Sequence, residues 1–474
     1  MQGTEPDSQN ATTPPAGPSA RITRRDFVPA MGSALAAITI LPRHVLGGVG
    51  YQAPSDKLNI AAVGVGGVGA SYVKGCESQN IVAFADVDHA LAAKTFSLYP
   101  RARTYRDYRV MLEKEKHIDA VIVGTPDHSH AMIAMAAIQL GKAVYVAKPM
   151  TRTIAETRAI TKAAREKRVA TQMSVQSCAS DAACSTAEWV QSGVVGQVRE
   201  VHVWSDRPVW PQWLARPAKS ASVPKSLDWD LWLGPAPYRP YHPIYHPFNF
   251  RGWVDFGTGA LGDMALHSFH VIFTALKLAR PTNVEACNTV VMLPALHGDS
   301  DKNWTRSRKA QFNETFPHSS IVTWDFPARD GLPPVRLNWY DGGLKPPRPQ
   351  GMDAAEPWGD DGLMFVGDKG VLLSGFTGGP QLVTTAQKAA FTPPQKTLER
   401  TLGHYQEWIA AAKGGPPAKC NFEFASLIAE TALLGVIAQR TGRYLTWDWE
   451  NMRIPNDSAA NDLLSSEYRS GWSL

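Results

Sequence analysis

Residues 58–63 read Leu-Asn-Ile-Ala-Ala-Val, residues 64–69 read Gly-Val-Gly-Gly-Val-Gly, and residues 70–76 read Ala-Ser-Tyr-Val-Lys-Gly-Cys. The first six predict a short strand and the last seven can form a helix, so the glycine run joins strand to helix. A lone GxGxxG says little, but in this context it is a dinucleotide-binding turn. Gly64 permits the tight turn, Gly66 and Gly67 let backbone approach a pyrophosphate beside Val68, and Gly69 lets helix and strand pack closely. The helix N-terminus adds free N–H groups and partial positive charge for the phosphates. A second apolar run, 81–85, ends at Asp86, twenty residues beyond Gly66. An acid there accepts hydrogen bonds from ribose hydroxyls and repels a 2′-phosphate. Asp88 adds negative charge and no Arg follows directly, so the pattern favours NAD over NADP. The bland alternative is a glycine-rich turn in an unrelated α/β protein.

Moving outward, the apolar run 120–124 ends in Thr125-Pro126-Asp127-His128-Ser129-His130, a helical pattern follows to Leu140, and 142–146 is again strand-like before Ala147-Lys148-Pro149. Alternating strands and helices predict an α/β fold with a doubly wound parallel sheet. Ligands of such sheets sit beyond the carboxyl ends of the strands, where Thr125, Pro126, His128, His130 and Lys148 fall as cofactor contacts. An X–Pro bond is the kind that readily adopts cis, which would set Lys148 at a fixed angle over a nicotinamide and a substrate hydroxyl. A surface lysine at a strand end is the competing reading.

Further along, Asp263 and His267 are four residues apart on a predicted helix that starts after the glycines at 257–262 and runs to about Ala279. They share a face, so the carboxylate is expected to orient the imidazole for general acid/base work on an alcohol or ketone. His270 falls on the same face, which leaves open a metal-ligand trio or a set of core histidines. Hydride transfer to NAD needs no metal, so none is assigned. Residues 204–253 hold six of the fifteen tryptophans and frequent prolines. Regular helix or central strand is excluded there, and a stiff excursion over the second domain is expected, its rings mainly packing and in part available to sugar faces. Tyr245, His246, Arg251 and Trp253, close to the 257 cluster, are the substrate candidates, with Tyr340 a more distant one. The stretch 424–440 reads as an amphipathic structural helix.

Composition bounds the rest. The chain has 474 residues, 44% hydrophobic and 19% charged, with a formal net charge of +5. That is core material for two or three domains and too little charge for a dedicated nucleic-acid binder. Five cysteines without a CxxC pair argue against both a disulfide scaffold and a structural zinc site. No run of about 18 apolar residues predicts a membrane span in the mature protein. The polar, Pro-rich residues 1–20 precede Thr23-Arg24-Arg25-Asp26-Phe27-Val28 and an apolar run from Ala30 to Leu41. Twelve residues make about 18 Å of helix, too short for a bilayer and suited to a twin-arginine export signal. Cleavage is expected between Ala37 and Gly50, with a periplasmic destination.

The motifs at 64–69, 125–131 (TPDHSHA) and 141–149 (GKAVYVAKP) resemble those of the Gfo/Idh/MocA oxidoreductases. The likeness continues through 257–267 (GTGALGDMALH) and into TWDWENMRIPN and YRSGW, which look like the exported bacterial branch; it covers roughly residues 56–474. It implies a leader over 1–50, an NAD-binding Rossmann domain over 56–175, a substrate and oligomerisation α/β domain with an open, mostly antiparallel sheet over 176–450, and a tail over 451–474. It also implies a homo-oligomer, dimer or tetramer, and a sugar or glycoside substrate, with Lys148, Asp263 and His267 as catalytic residues. Two departures stand out: Ala147 replaces the Glu of Glu-Lys-Pro, and His270 stands where Asp is common. Related enzymes include NAD-dependent glycosidases. The chain is thus expected to act on a secondary hydroxyl with a tightly held cofactor, or to be a redox-neutral glycosidase, or a non-catalytic NAD/sugar-binding module.

Overall fold

In the computed structural model, which describes residues 56–293, 308–309, 313–376 and 378–474, the run around 60 is strand β1 (Asn59–Val63). The twin-arginine segment lies outside the described residues. With β2 (Asn80–Ala85), β3 (Arg103–Tyr105), β4 (Ala120–Val123), β5 (Ala143–Val146) and β6 (Thr171–Met173), β1 forms a wholly parallel sheet of order β3-β2-β1-β4-β5-β6. Every residue of β4 and β5 is buried, because helices cover both faces of such a sheet. One face packs on the helices His130–Gln139 and Ile154–Lys167. The other packs on Gly69–Gly75 and, unexpectedly, on the helix His404–Ala412, whose Trp408 and Ile409 join Ile60, Phe84 and Tyr145 in one apolar cluster. The strand order reverses between β1 and β4, and a crevice opens at that switch point.

The chain then builds a second sheet from β7 (Val198–Trp204) and β8 (Asn283–Asn288) onward. A separate two-stranded ribbon, β9 (Met292–Leu293) with β10 (Arg308–Lys309), intervenes. The sheet is completed by β11 (Ser320–Phe326), β12 (Val335–Tyr340), β13 (Gly362–Gly367), β14 (Gly370–Ser374), β15 (Gln381–Leu382) and β16 (Leu445–Thr446). Its order is β15-β14-β13-β7-β12-β11-β8-β16, antiparallel throughout except for the β7–β12 pair. Residues alternate between faces along each strand. Val201, Trp324, Leu337 and Phe365 point to the helical layer, and Trp204, Tyr340 and Met364 form a small cluster on the opposite face.

The helix Phe422–Thr441 runs through that helical layer. It was expected to be amphipathic, yet it is buried around most of its circumference, because β8, β11 and the helix Ile154–Lys167 all pack on it. At Gly435 the sheet leaves no room for a side chain: a Cβ there would stand 2.3 Å from Trp324. This is a helix long and apolar enough to cross a membrane, but 83% of its apolar window is buried inside the protein.

The tryptophan-rich excursion also departs from expectation. It contains a short helix, Trp229–Leu233, and reaches across to the first domain. Asp228 N donates to Val87 O (2.8 Å), His89 N donates to Ser226 O (3.2 Å), and His246 Nε2 lies 3.0 Å from the Asp88 carboxylate. Its aromatic rings form a core of their own that includes Trp229, Trp232, Tyr245, Trp253 and Phe256.

Candidate active site

A cavity of about 310 Å³ lies along the carboxyl ends of β1, β2 and β4. Its floor is the glycine turn. Gly64 has φ +76°, a left-handed conformation that favours glycine. A Cβ on Gly69 would sit 1.9 Å from Gly64 O, so the helix can start this close to β1 only with glycine there. A Cβ on Gly67 would meet nothing within 4 Å: bare backbone faces the cavity, as a pyrophosphate requires. Asp86 lines the cavity, and its Oδ2 accepts hydrogen bonds from Val65 N (2.7 Å) and Gly66 N (3.0 Å). Burial raises its pKa, opposed by these N–H donors and that of Asp88. The acid therefore secures the glycine loop from the cavity wall. The residues present fit a dinucleotide.

Thr125 and Pro126 line the same cavity, as do Gly66, Gly67 and Val68. His128 and His130 do not, which corrects their assignment as cofactor contacts. The His128 ring is buried against Trp232 O (Nε2, 2.8 Å), and burial pushes its pKa down to about 4. The His130 nitrogens lie 2.7 Å from Pro149 O and Thr125 O. Both rings tie loops together, because the turn at 127–129 directs them inward among backbone carbonyls. The roof of the cavity comes from the excursion, through Trp232, His246, Phe248, Phe250 and Arg251, and from Trp472.

Lys148, Asp263 and His267 do not line this cavity either, and Lys148 and Asp263 meet it through Arg251, which does. Lys148 N donates to Ser174 Oγ (2.9 Å), and the Lys148–Pro149 bond is cis. Lys148 Nζ donates to Asp263 O (2.9 Å) and pairs with Asp263 Oδ1 (2.8 Å), to which Arg251 Nε also donates (3.0 Å). Burial alone would raise the Asp263 pKa, but the two cations outweigh it and hold the carboxyl at about 2. An ammonium has three donors, so one remains for a substrate oxygen. The partner missing at Ala147 is thereby supplied from another element. Ala147 itself is buried in the apolar cluster of Tyr145 and Trp408.

The expected Asp263–His267 pair is not made. The predicted continuous helix is two, Gly259–Met264 and Leu266–Leu276, meeting at Ala265, and two cations outcompete a neutral imidazole for the carboxylate. The His267 imidazole makes no hydrogen bond among the described residues, and the Phe376 ring lies 6.0 Å from it. Burial, reinforced by Lys148, lowers its pKa to about 4. It is thus a neutral base at neutral pH rather than a group poised near 7.

The remaining candidates lie elsewhere. Tyr245 and Trp253 are packed in the aromatic core beneath the roof, ring centroids 4.8 Å apart. His270 is buried 2.8 Å from Ser177 Oγ, so the imagined metal trio does not converge. Among the described residues no three His, Cys, Asp or Glu side chains form a metal site. Tyr340 sits on the outer face of the second sheet, its OH 3.0 Å from His202 Nδ1. Of the substrate candidates, Arg251 and His246 line the cavity. Ser174, which anchors Lys148, and the wall residue Trp472 were not predicted; the YRSGW motif was the available signal for the latter.

A doubly wound parallel sheet with this glycine turn and an acid after its second strand defines a dinucleotide-binding protein. Residues 58–175 match the family described as "oxidoreductase family, NAD-binding Rossmann fold", and 187–309 match its C-terminal alpha/beta domain. Together these span just over half of the chain, which belongs to the Gfo/Idh/MocA oxidoreductase family and binds NAD. A levoglucosan dehydrogenase from Pseudarthrobacter phenanthrenivorans is 26% identical over 114 residues, 24% of this chain and 29% of that protein. The match thus spans under a third of that relative's length. Among solved structures, the WlbA dehydrogenase of Chromobacterium violaceum, in complex with NADH and UDP-GlcNAcA, superposes with a TM-score of 0.56 at 16% identity, covering 83% of this chain and 97% of that one. A levoglucosan dehydrogenase complexed with NADH and L-sorbose gives 0.52 at 16%, covering 82% and 98%. At these identities the likeness is one of fold.

Proposed function

We propose that the protein oxidises or reduces a secondary hydroxyl of a sugar or glycoside, using NAD that stays bound from one turnover to the next. The observation that carries this reading is the buried Lys148–Asp263–Arg251 cluster, near a neutral His267, whose Arg251 also lines the roofed cleft. NAD, when bound, supplies the hydride acceptor or donor. His267 takes the hydroxyl proton in the oxidative direction, since a neutral imidazole is the group able to receive it. The remaining N–H of Lys148 holds the substrate oxygen as charge builds on it. Asp263 keeps Lys148 charged and aimed, and Arg251 balances the second carboxylate lone pair. The sugar-type ligands of the structural relatives support the substrate class.

The twin-arginine motif supports export to the periplasm, where no pool of free NAD is maintained and a retained cofactor must be regenerated in place. A second sugar can do this. Alternatively the redox cycle closes on one substrate: oxidation, at C3 for example, acidifies the neighbouring C–H, the aglycone leaves by elimination, water adds and the hydride returns. The roofed cleft favours either form of recycling. The paired Lys148 speaks against a purely binding role. The outer face of the second sheet, with the partly exposed Ile321, Val366, Val371 and Leu373, is proposed to join copies into a homo-oligomer.

The test uses the protein as purified, without added cofactor, against sugars and chromogenic glycosides. An oxidoreductase shows one equivalent of reduced nicotinamide that is discharged when an acceptor sugar is added. A glycosidase releases aglycone over many turnovers with little net reduction. His267→Ala or Lys148→Ala should abolish either signal. Full activity in Lys148→Ala, or no response to any sugar by the unaltered protein, refutes the reading.

A further inference from the structure

We propose that the segment Tyr468–Trp472 is the adenine-side wall of the cofactor cleft and governs how fast NAD leaves, an inference that rests on the retained-cofactor reading above. The sheet order gives the cleft its polarity. The turn after β1 takes the pyrophosphate and Asp86 after β2 faces the ribose, so the next position outward, after β3, belongs to the adenine. Lys148, after β5, marks the opposite, hydride end. Trp472 lines the cleft together with Asp107 and Tyr108, which follow β3 directly.

The indole is held by a neighbouring cation. The Arg109 guanidinium lies 4.6 Å from its ring centroid and is itself chelated by Asp107, with Nη2 to Oδ2 at 2.7 Å and Nε to Oδ1 at 3.0 Å. A cation over an indole, itself paired with a carboxylate, restrains the ring. The other side of the segment is tied down as well. Arg469 N donates to Pro235 O (3.0 Å), its Nε to Gly234 O (3.1 Å) and its Nη2 to Asp230 O (2.8 Å), and the guanidinium also pairs with the Asp230 carboxylate. Tyr468 OH donates to Glu156 Oε1 (3.1 Å) in the Rossmann domain. The segment thus bridges the dinucleotide domain and the roof formed by 230–235. A purine face entering between Tyr108 and Trp472 meets an indole that is fixed in place but partly exposed. Stacking of a base on one aromatic side chain changes binding by roughly 5- to 150-fold.

The experiment measures release of NADH, and of reduced nicotinamide mononucleotide, which lacks the adenine, from loaded protein diluted into excess NAD. The protein is unaltered, Trp472→Ala, Trp472→Phe or Arg109→Gln. Trp472→Ala should release NADH about tenfold faster or more, Arg109→Gln by a smaller factor, and Trp472→Phe at nearly the original rate. Release of the mononucleotide should be the same in all four. Unchanged NADH release in Trp472→Ala overturns the proposal and, where the unaltered protein still keeps NAD through desalting, leaves the retained-cofactor reading standing. Equal acceleration for NADH and the mononucleotide also overturns it, since that is general loosening. Unaltered protein that keeps no nicotinamide through desalting refutes both readings.

Discussion

Asp263→Asn removes one charge and almost no volume, so it isolates what that carboxylate does. Its pKa of about 2, against the ordinary 3.8, means that the folded protein favours the ionised form by about 2 kcal/mol even after burial is counted. The sign is that of a depressed acid: the contribution is complete above about pH 4 and is lost as the pH falls towards 2. The variant forfeits it and leaves Lys148 and Arg251 facing each other across a neutral amide. Breaking one side of a buried ion pair costs about 3–5 kcal/mol. With an unfolding entropy of about 2.1 cal/mol/K per residue, that lowers the melting temperature of a chain of this size by about 3–5 °C. The functional effect should be larger than the stability effect. Lys148 keeps Asp263 O as an acceptor but loses its counter-charge, and kcat/KM on the responsive sugar should fall at least about 100-fold. Asp263 also supports the protonated form of His267, so the acid limb of the pH profile, expected near pH 4 rather than 6.5, should move lower still. The assay is kcat/KM between pH 3.5 and 9 with melting curves alongside. An Asn variant with undiminished kcat/KM and an unmoved acid limb would refute the cluster as the reactive centre.

Three further outcomes are expected. Asp86→Ala should weaken NAD binding by about 1–3 kcal/mol, and Asp86→Ser with an Arg placed nearby should raise relative NADP affinity; an unchanged NAD/NADP ratio by titration would show that Asp86 is not at the ribose. Burial holds His128 and His267 at about 4 and His270 and His404 at about 3, below the unfolded value of about 6.5. The unfolded chain therefore takes up more protons between roughly pH 3 and 6.5, so melting temperatures should be highest above pH 6.5 and fall steadily on acidification; a flat profile from pH 7 to 4.5 contradicts this. Val371→Glu, at a partly exposed position on the outer sheet face, should shift the sedimentation mass of an oligomer towards that of the monomer, and identical masses would place the interface elsewhere.

The first domain was legible because its signals are local. Glycine geometry, a strand's alternation with a helix and the acid at Asp86 are all written within thirty residues of one another. Lys148, Asp263 and His267 could be named from pattern, but not their pairing, since helical spacing favours a partner four residues away while Asp263 is held by residue 148, on another domain. The histidines at 128 and 130 were misplaced for a related reason: the sequence puts them at a strand's end but does not say which way a ring turns there. Trp253 and Tyr245 share their aromatic character with residues that do face the cleft, such as Trp232 and Phe248, and only three-dimensional packing separates the two groups.

The helix His404–Ala412, which closes one face of the Rossmann sheet, has a consequence for how the chain is made. Trp408 is wholly buried against that sheet, so the nucleotide-binding half stays unfinished until the ribosome has added some 230 residues beyond β6. Throughout that interval Tyr145 lacks the cover of His404, Tyr405 and Trp408, and an exposed apolar patch of this kind is what chaperones bind and what aggregates grow from. A fragment cut at residue 175, although it contains all six strands, should therefore be insoluble. Soluble protein is instead expected when the helix is supplied on a second polypeptide, making the late arrival of one tryptophan the step that commits the chain to its native state.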